Sequence, residues 1–139
     1  MDWENVPENI EGLFGFIYKI ERINALPGER RFYWGCKQFH RNFKRPALKG
    51  KSRKRKASKE SDWKSYYGSS NDLKNDVAIH GKENFKRTIL KVCSCKWQLK
   101  YEELITQIEN RAILREDSYN GILNLRIGKV PKDLKAYYN

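Results

Sequence analysis

Residues 37–59 hold eleven lysines and arginines and no acidic residue. With Pro46, Gly50, Ser52 and Ser58 in the same stretch, there are too few apolar side chains for a buried element. The stretch therefore reads as a surface loop or insertion, with room for a short helix near its start. It splits the chain into two portions that must build one core between them. The net charge is +12, so the rest of the sequence is close to neutral. A cation block of this kind suits a phosphate backbone, where each neutralised phosphate releases counterions. An acidic protein partner or an import address spelled Lys-Ser-Arg-Lys-Arg-Lys are the competing readings.

At 139 residues the chain has the size of one domain, and its 18 aromatic residues supply the bulk that a disordered chain lacks. No apolar run approaches the roughly 18 residues needed to span a bilayer, and residues 1–11 are acidic and polar rather than signal-like. The expectation is a soluble, cytoplasmic protein with no membrane partner. Cys36, Cys93 and Cys95 form an odd set that cannot all pair, which fits a reducing compartment. Cys93-Ser-Cys95 is too short and too isolated for a zinc site, which needs four well-spaced ligands.

Periodicity and turn residues place the elements. Residues 14–21, rich in Phe, Ile and Tyr, predict a strand. Pro27-Gly28 predicts a turn, and residues 31–37 a second aromatic strand, so the pair forms an antiparallel hairpin. Ser69 or Ser70 caps a helix carrying Asp72 in its first turn, Leu73, Val77 and Ile79 as apolar positions, and His80-Gly81 at its end. Residues 85–92 predict a third strand, although Thr88-Ile89-Leu90 also suits a helix. Tyr101, Leu104, Ile105, Ile108 and Ala112 recur at spacings of three and four, predicting an amphipathic helix over 96–115. Tyr119-Asn120-Gly121 ends it with turn chemistry.

The hairpin strands contain Gly15-Phe16-Ile17-Tyr18 and Tyr33-Trp34-Gly35. Downstream come Trp63-Lys64-Ser65-Tyr66-Tyr67-Gly68-Ser69-Ser70, His80-Gly81-Lys82-Glu83-Asn84-Phe85, Ile89-Leu90, Tyr101-Glu102-Glu103 and Tyr119-Asn120. In this order the motifs resemble the GIY-YIG nuclease family, in particular small phage-encoded homing endonucleases. The resemblance implies an α/β (α+β) domain, with a small three-stranded antiparallel sheet flanked by helices. It spans residues 13–125, with the basic insertion at about 38–60, an irregular leader at 1–12 and a C-terminal tail at 126–139.

The activity it implies is hydrolysis of a phosphodiester in DNA, most naturally double-stranded, with one Mg2+ or Mn2+ as cofactor. By family position Tyr18 and Tyr33 are the paired tyrosines, Glu103 the metal ligand and Asn120 a supporting group. On a helical wheel Glu103 lies opposite the apolar stripe and Glu102 at its edge, so Glu102 remains the alternative ligand. Lys37, His40 and Arg41 compete for the place of the family's arginine, Arg41 being favoured. Arg45, Lys49, Lys51, Arg53, Lys54, Arg55, Lys56 and Lys59 are then left to grip nucleic acid by its backbone, a contact that carries little sequence information. No separate recognition module is evident, so a protein partner for targeting is a further expectation. The alternative function is a nucleic-acid-binding protein that keeps the fold without the chemistry.

Overall fold

A computed structural model describes residues 2–123 and 126–138. Its elements, in chain order, are β1 (Trp3–Glu4), β2 (Gly15–Arg22), β3 (Phe32–Gln38), β4 (His40–Arg45), β5 (Arg55–Glu60), α1 (Asn71–His80), β6 (Phe85–Cys93) and α2 (Lys96–Glu109). One sheet runs β1-β6-β2-β3, and β4-β5 form a separate two-stranded ribbon. The antiparallel core β6-β2-β3 is the three-stranded sheet the motifs imply, with strand ends within a residue or two of the expected positions.

Side chains alternate across a strand, so β2 divides the core in two. Phe16, Tyr18 and Ile20 enter a cluster with Tyr33 of β3, Phe85 and Ile89 of β6, and Leu73 and Val77 of α1. Ile17 points the other way and meets Cys93, Cys36 and Leu99 of α2. The sheet therefore lies between the helices. Helix α1 starts where Ser70 accepts the Leu73 N–H (3.3 Å) and stops where the Gly81 N–H reaches the Val77 carbonyl. Replacing Ser70 with alanine leaves that N–H without its cap. The expected loss is about 1 kcal/mol, a fall in Tm of about 4 °C by calorimetry with unchanged circular dichroism at 20 °C.

Several expectations need correction. The leader is not wholly irregular: Trp3 and Glu4 pair in parallel with β6, and the Trp3 indole is buried and donates to the Trp63 carbonyl at 2.7 Å. The basic segment is neither a loop nor a short helix over most of its length. Residues 40–45 pair with residues 55–60 in continuous antiparallel register, because alternate side chains of an exposed ribbon can all remain in water and no buried face is required. Residues 88–90 are strand. Ile79 does not serve α1's core side, being 73% exposed.

Helix α2 ends at Glu109, short of residue 115, and the apolar stripe is not its inner face. Leu99, Glu102 and Gln107 are buried while Ile108 is 51% exposed. The reason lies in what the helix covers. The backbone of β3 offers the Trp34 carbonyl, which takes the Gln107 side-chain N–H at 3.0 Å, and Gln98 accepts from the Ser94 N–H at 2.8 Å. Hydrogen bonding sets the rotation of α2 more than apolar area does. The described part of the tail returns to the helix: Trp97 donates to the Gly128 carbonyl, and the Tyr138 ring packs on Trp97 and Tyr101.

Candidate active site

Tyr18 stands opposite Gly35 in the β2–β3 pairing, and Tyr33 opposite Ile20. Both tyrosines thus face the side of the sheet covered by α1, with ring centroids 6.1 Å apart. Gly35 is required by this arrangement: a Cβ there would lie 2.6 Å from the Tyr18 hydroxyl. Tyr18 is 1% exposed, and burial holds its hydroxyl well above the usual tyrosine range, with Tyr33 and Tyr66 adding to the rise. Tyr66 closes the group from the segment before α1, its ring edge-on to Tyr18 at 6.1 Å.

The Tyr66 hydroxyl interacts with those of both Tyr18 and Ser69, and Ser69 Oγ lies 2.8 Å from the Tyr33 hydroxyl. Four hydroxyls therefore run in series, Tyr18, Tyr66, Ser69 and Tyr33, of which Ser69 is the exposed one. Gly68, at φ +91°, lets this segment pass against the Tyr33 ring, where a Cβ would come within 3.2 Å. Tyr33 is also raised by burial, and the hydrogen bond from Ser69 works against that rise. Neutral phenols at physiological pH follow, able to donate and accept but not to act as resident phenolates.

Glu103 approaches from the other face. Its carboxyl lines a recess of about 440 Å³ with Tyr33, Ser69, Gln107 and Asn120. Burial raises its pKa above the ordinary carboxylate range, while the thiol and amide of Cys36 oppose the shift. Cys36 also lines the neighbouring recess of about 720 Å³, together with Lys37, Arg41, Lys59, Asp62 and Leu99. Cys36 of this recess contacts Glu103 of the other. Lys37 lies 2.7 Å from Asp62 and 4.2 Å from the centroid of the Tyr66 ring, and this ammonium holds the Asp62 carboxyl below its usual range.

The predicted site residues therefore separate into groups. Tyr18, Tyr33 and Lys37 fall on one face of the hairpin, and Glu103 reaches the recess beside Tyr33 from α2. Arg41 stands at the mouth beside Lys59, on the first rung of the ribbon. His40 pairs with Glu60 on the opposite ribbon face and does not join them. Asn120 grips the backbone of β3, accepting the Trp34 N–H at 3.0 Å and donating to the Trp34 carbonyl at 2.7 Å. Arg45, Lys49, Lys51, Arg53, Lys54 and Arg55 are exposed along the ribbon and its turn. Lys56 belongs to β5, but its side chain lies outside the described residues.

Sequence reasoning did not give Tyr66, Ser69 or Cys36 a part in the site. The Tyr-Tyr-Gly-Ser-Ser string was the only available signal for the first two, and Cys36 had none. Glu102 is used elsewhere: its carboxylate is 3.1 Å from Lys91 and 2.6 Å from the Tyr138 hydroxyl. This arrangement leaves Glu103 as the acid on α2 that reaches the tyrosines' recess.

A family model described as "Putative endonuclease segE, GIY-YIG domain" matches residues 2–127. The chain belongs to the GIY-YIG nuclease family. Membership fits the mixed α and β architecture with its small, mainly antiparallel sheet, and makes nucleic acid the substrate class. No curated protein and no solved structure gives a significant match. The matched span takes in β1 as well as the ribbon.

Proposed function

We propose that the chain is a metal-dependent DNA endonuclease that hydrolyses a phosphodiester where α2 meets the end of β3, and that it works inside the cell as a phage homing or nicking enzyme. The observation that carries this reading is that the partly buried carboxylate of Glu103 shares a recess with the neutral hydroxyl of Tyr33, while the cations Lys37 and Arg41 line a second recess with Cys36, which contacts Glu103. The endonuclease reading draws on the family's description, and the homing role on the resemblance of the motifs to phage-encoded homing endonucleases. No helix among the described residues is long and apolar enough to cross a membrane.

Among the described residues no group of three or more His, Cys, Asp and Glu could cage an ion. A single carboxylate suits Mg2+ or Mn2+, which keep several waters and take remaining ligands from substrate phosphate. When bound at Glu103, such an ion supplies charge neutralisation at the scissile phosphate and the leaving oxygen. The chain's own groups do the rest. Tyr33 orients the attacking water through its hydroxyl and takes the water's proton as it hands its own to Ser69, which is exposed and releases a proton to solvent, while Tyr66 and Tyr18 hold that serine in place. Lys37 and Arg41 stabilise the extra negative charge of the pentacoordinate state. Asn120 touches β3 rather than substrate, and holds Tyr33 in place through Trp34.

The test is a supercoiled-plasmid assay with Mg2+ or Mn2+, in which nicked or linear DNA is the expected product. Binding without cleavage under every divalent ion overturns the enzyme reading in favour of nucleic-acid binding alone. The pH dependence adds a check. Because burial raises the Glu103 pKa, its carboxyl is protonated, and unfit to hold a cation, at pH values where an ordinary carboxylate is already ionised. Cleavage is expected to rise with pH through a limb above about 4.3, and the limb moves to lower pH as Mg2+ is increased.

A further inference from the structure

The ribbon has a composition that backbone gripping does not require. Residues opposite each other in an antiparallel pair share a face. Register therefore stacks three rungs on one side: Arg41 with Lys59, Phe43 with Ala57, and Arg45 with Arg55. The opposite face carries His40, Asn42 and Lys44 against Glu60 and Ser58. Arg41 and Lys59 of the first of these rungs line the larger recess, as does Glu60 of the opposite face; the three-rung face carries no acid, and is the one that suits a polyanion.

Two of the rungs set like charges directly across from each other, an arrangement that weakens a free ribbon and that a polyanion relieves. The middle rung is apolar, and Phe43 is only partly covered, by Arg45 at 5.6 Å and Lys59 at 5.7 Å from its centroid. Phosphate contact alone gives no use for that ring.

We propose that the β4–β5 ribbon lies in the major groove of duplex DNA with this face on the base edges, and that it selects sequence. The inference rests on the proposed action on DNA but not on cleavage. A major groove of about 12 Å admits a two-stranded ribbon, whose strands are spaced about 4.8 Å apart. Rungs two residues apart are about 6.8 Å apart, which is about two base-pair steps. Arginine recognises guanine through two hydrogen bonds, and Phe or Ala contacts the methyl of thymine. The distal rung, Arg45 with Arg55, therefore favours guanine, and the Phe43–Ala57 rung favours thymine about two steps nearer the cleavage site. Lys49, Lys51, Arg53 and Lys54, at the exposed turn, meet phosphates and add affinity without preference.

Selection from a randomised duplex library in EDTA, where no divalent ion is free, reads this directly. The expected result is a short enriched motif with guanine and thymine at that spacing. Changing Arg45→Lys and Arg55→Lys together keeps the charge and the salt slope but lowers the preference for the motif over scrambled duplex by about tenfold or more. Uracil in place of the motif's thymine weakens binding several-fold with no change to the protein. Alanine at the four turn cations instead weakens motif and scrambled duplex alike, and lowers the salt slope by about 3 or 4.

A library bound without enrichment, a motif unchanged by the lysine variants, or equal binding of duplex RNA, whose deep major groove excludes the ribbon, overturns the proposal. A protein that selects the motif but never cuts leaves this inference standing and removes the enzyme reading.

Discussion

Glu103→Gln protein is expected to fold, bind plasmid DNA and nick it at least about a thousandfold more slowly than the parent. The change removes the charge that a divalent cation needs while keeping shape and one acceptor oxygen, and loss of such charge stabilisation costs several kcal/mol of transition-state binding. Stability is expected to hold or rise slightly, since burial disfavours the charged carboxyl that glutamine replaces. Glu102→Gln is the matched comparison. That side chain is committed to Lys91 and Tyr138, so its replacement weakens the hold of the tail on α2 and leaves nicking within a few-fold. Initial rates on supercoiled plasmid, with thermal melts of the same samples, separate the cases. Full activity in Glu103→Gln with loss in Glu102→Gln would reverse the assignment of the two acids.

The largest stability effect is expected from Gly35→Ala. A single added methyl meets the Tyr18 hydroxyl at 2.6 Å and the ring carbon beneath it at 2.8 Å, in a cluster where Tyr18 is fully buried and Trp3, Tyr33 and Tyr66 already surround it. Overpacking of this kind costs about 3 kcal/mol, or about 10 °C in Tm for a chain of this length. Introducing Tyr18→Phe as well removes the nearest clashing atom, though not the ring carbon, so the double variant recovers about 1 kcal/mol of that loss. Strict additivity of the two changes in calorimetric melts would mean that the methyl is accommodated elsewhere. Tyr18→Phe alone melts close to the parent, because ring packing dominates its contribution.

What could be read from the sequence followed the strength of hydrophobic signals. Strands β2, β3 and β6 and helix α1 carry apolar or aromatic periodicity bounded by Pro-Gly, a capping serine or His80-Gly81, and each lies within a few residues of its expected place. The ribbon escaped notice because its alternation is written in cations and short polar groups, with Phe43 and Ala57 as its one apolar rung. Strand β1 has two residues, too few to show a period, and owes its place to the Trp3 indole.

In α2 the periodic residues misled, because the inner face is selected by the hydrogen bond Gln107 donates to Trp34, the one Gln98 accepts from Ser94, and the contacts of Glu102. That same face brings Glu103 to the recess, which the apolar stripe alone would have placed in solvent. Tyr66 and Ser69 sit in a non-periodic segment, where spacing along the chain carries no information about proximity to Tyr18 and Tyr33. The short helix allowed for near the start of the basic stretch is replaced by β4, so linear position could not decide between Lys37 and Arg41.

Phe39 is the single residue between β3 and β4. It is wholly buried against Phe16 and Trp63, its N–H donates to the Phe14 carbonyl at 3.0 Å, and its carbonyl receives the Ser61 N–H at 2.8 Å. A joint clamped on both sides cannot act as a hinge. Under the proposed reading of DNA, the arm it carries is a measuring rod cast in one piece with the blade, and a fixed distance from the base pairs under the arm to the cleaved bond is the consequence.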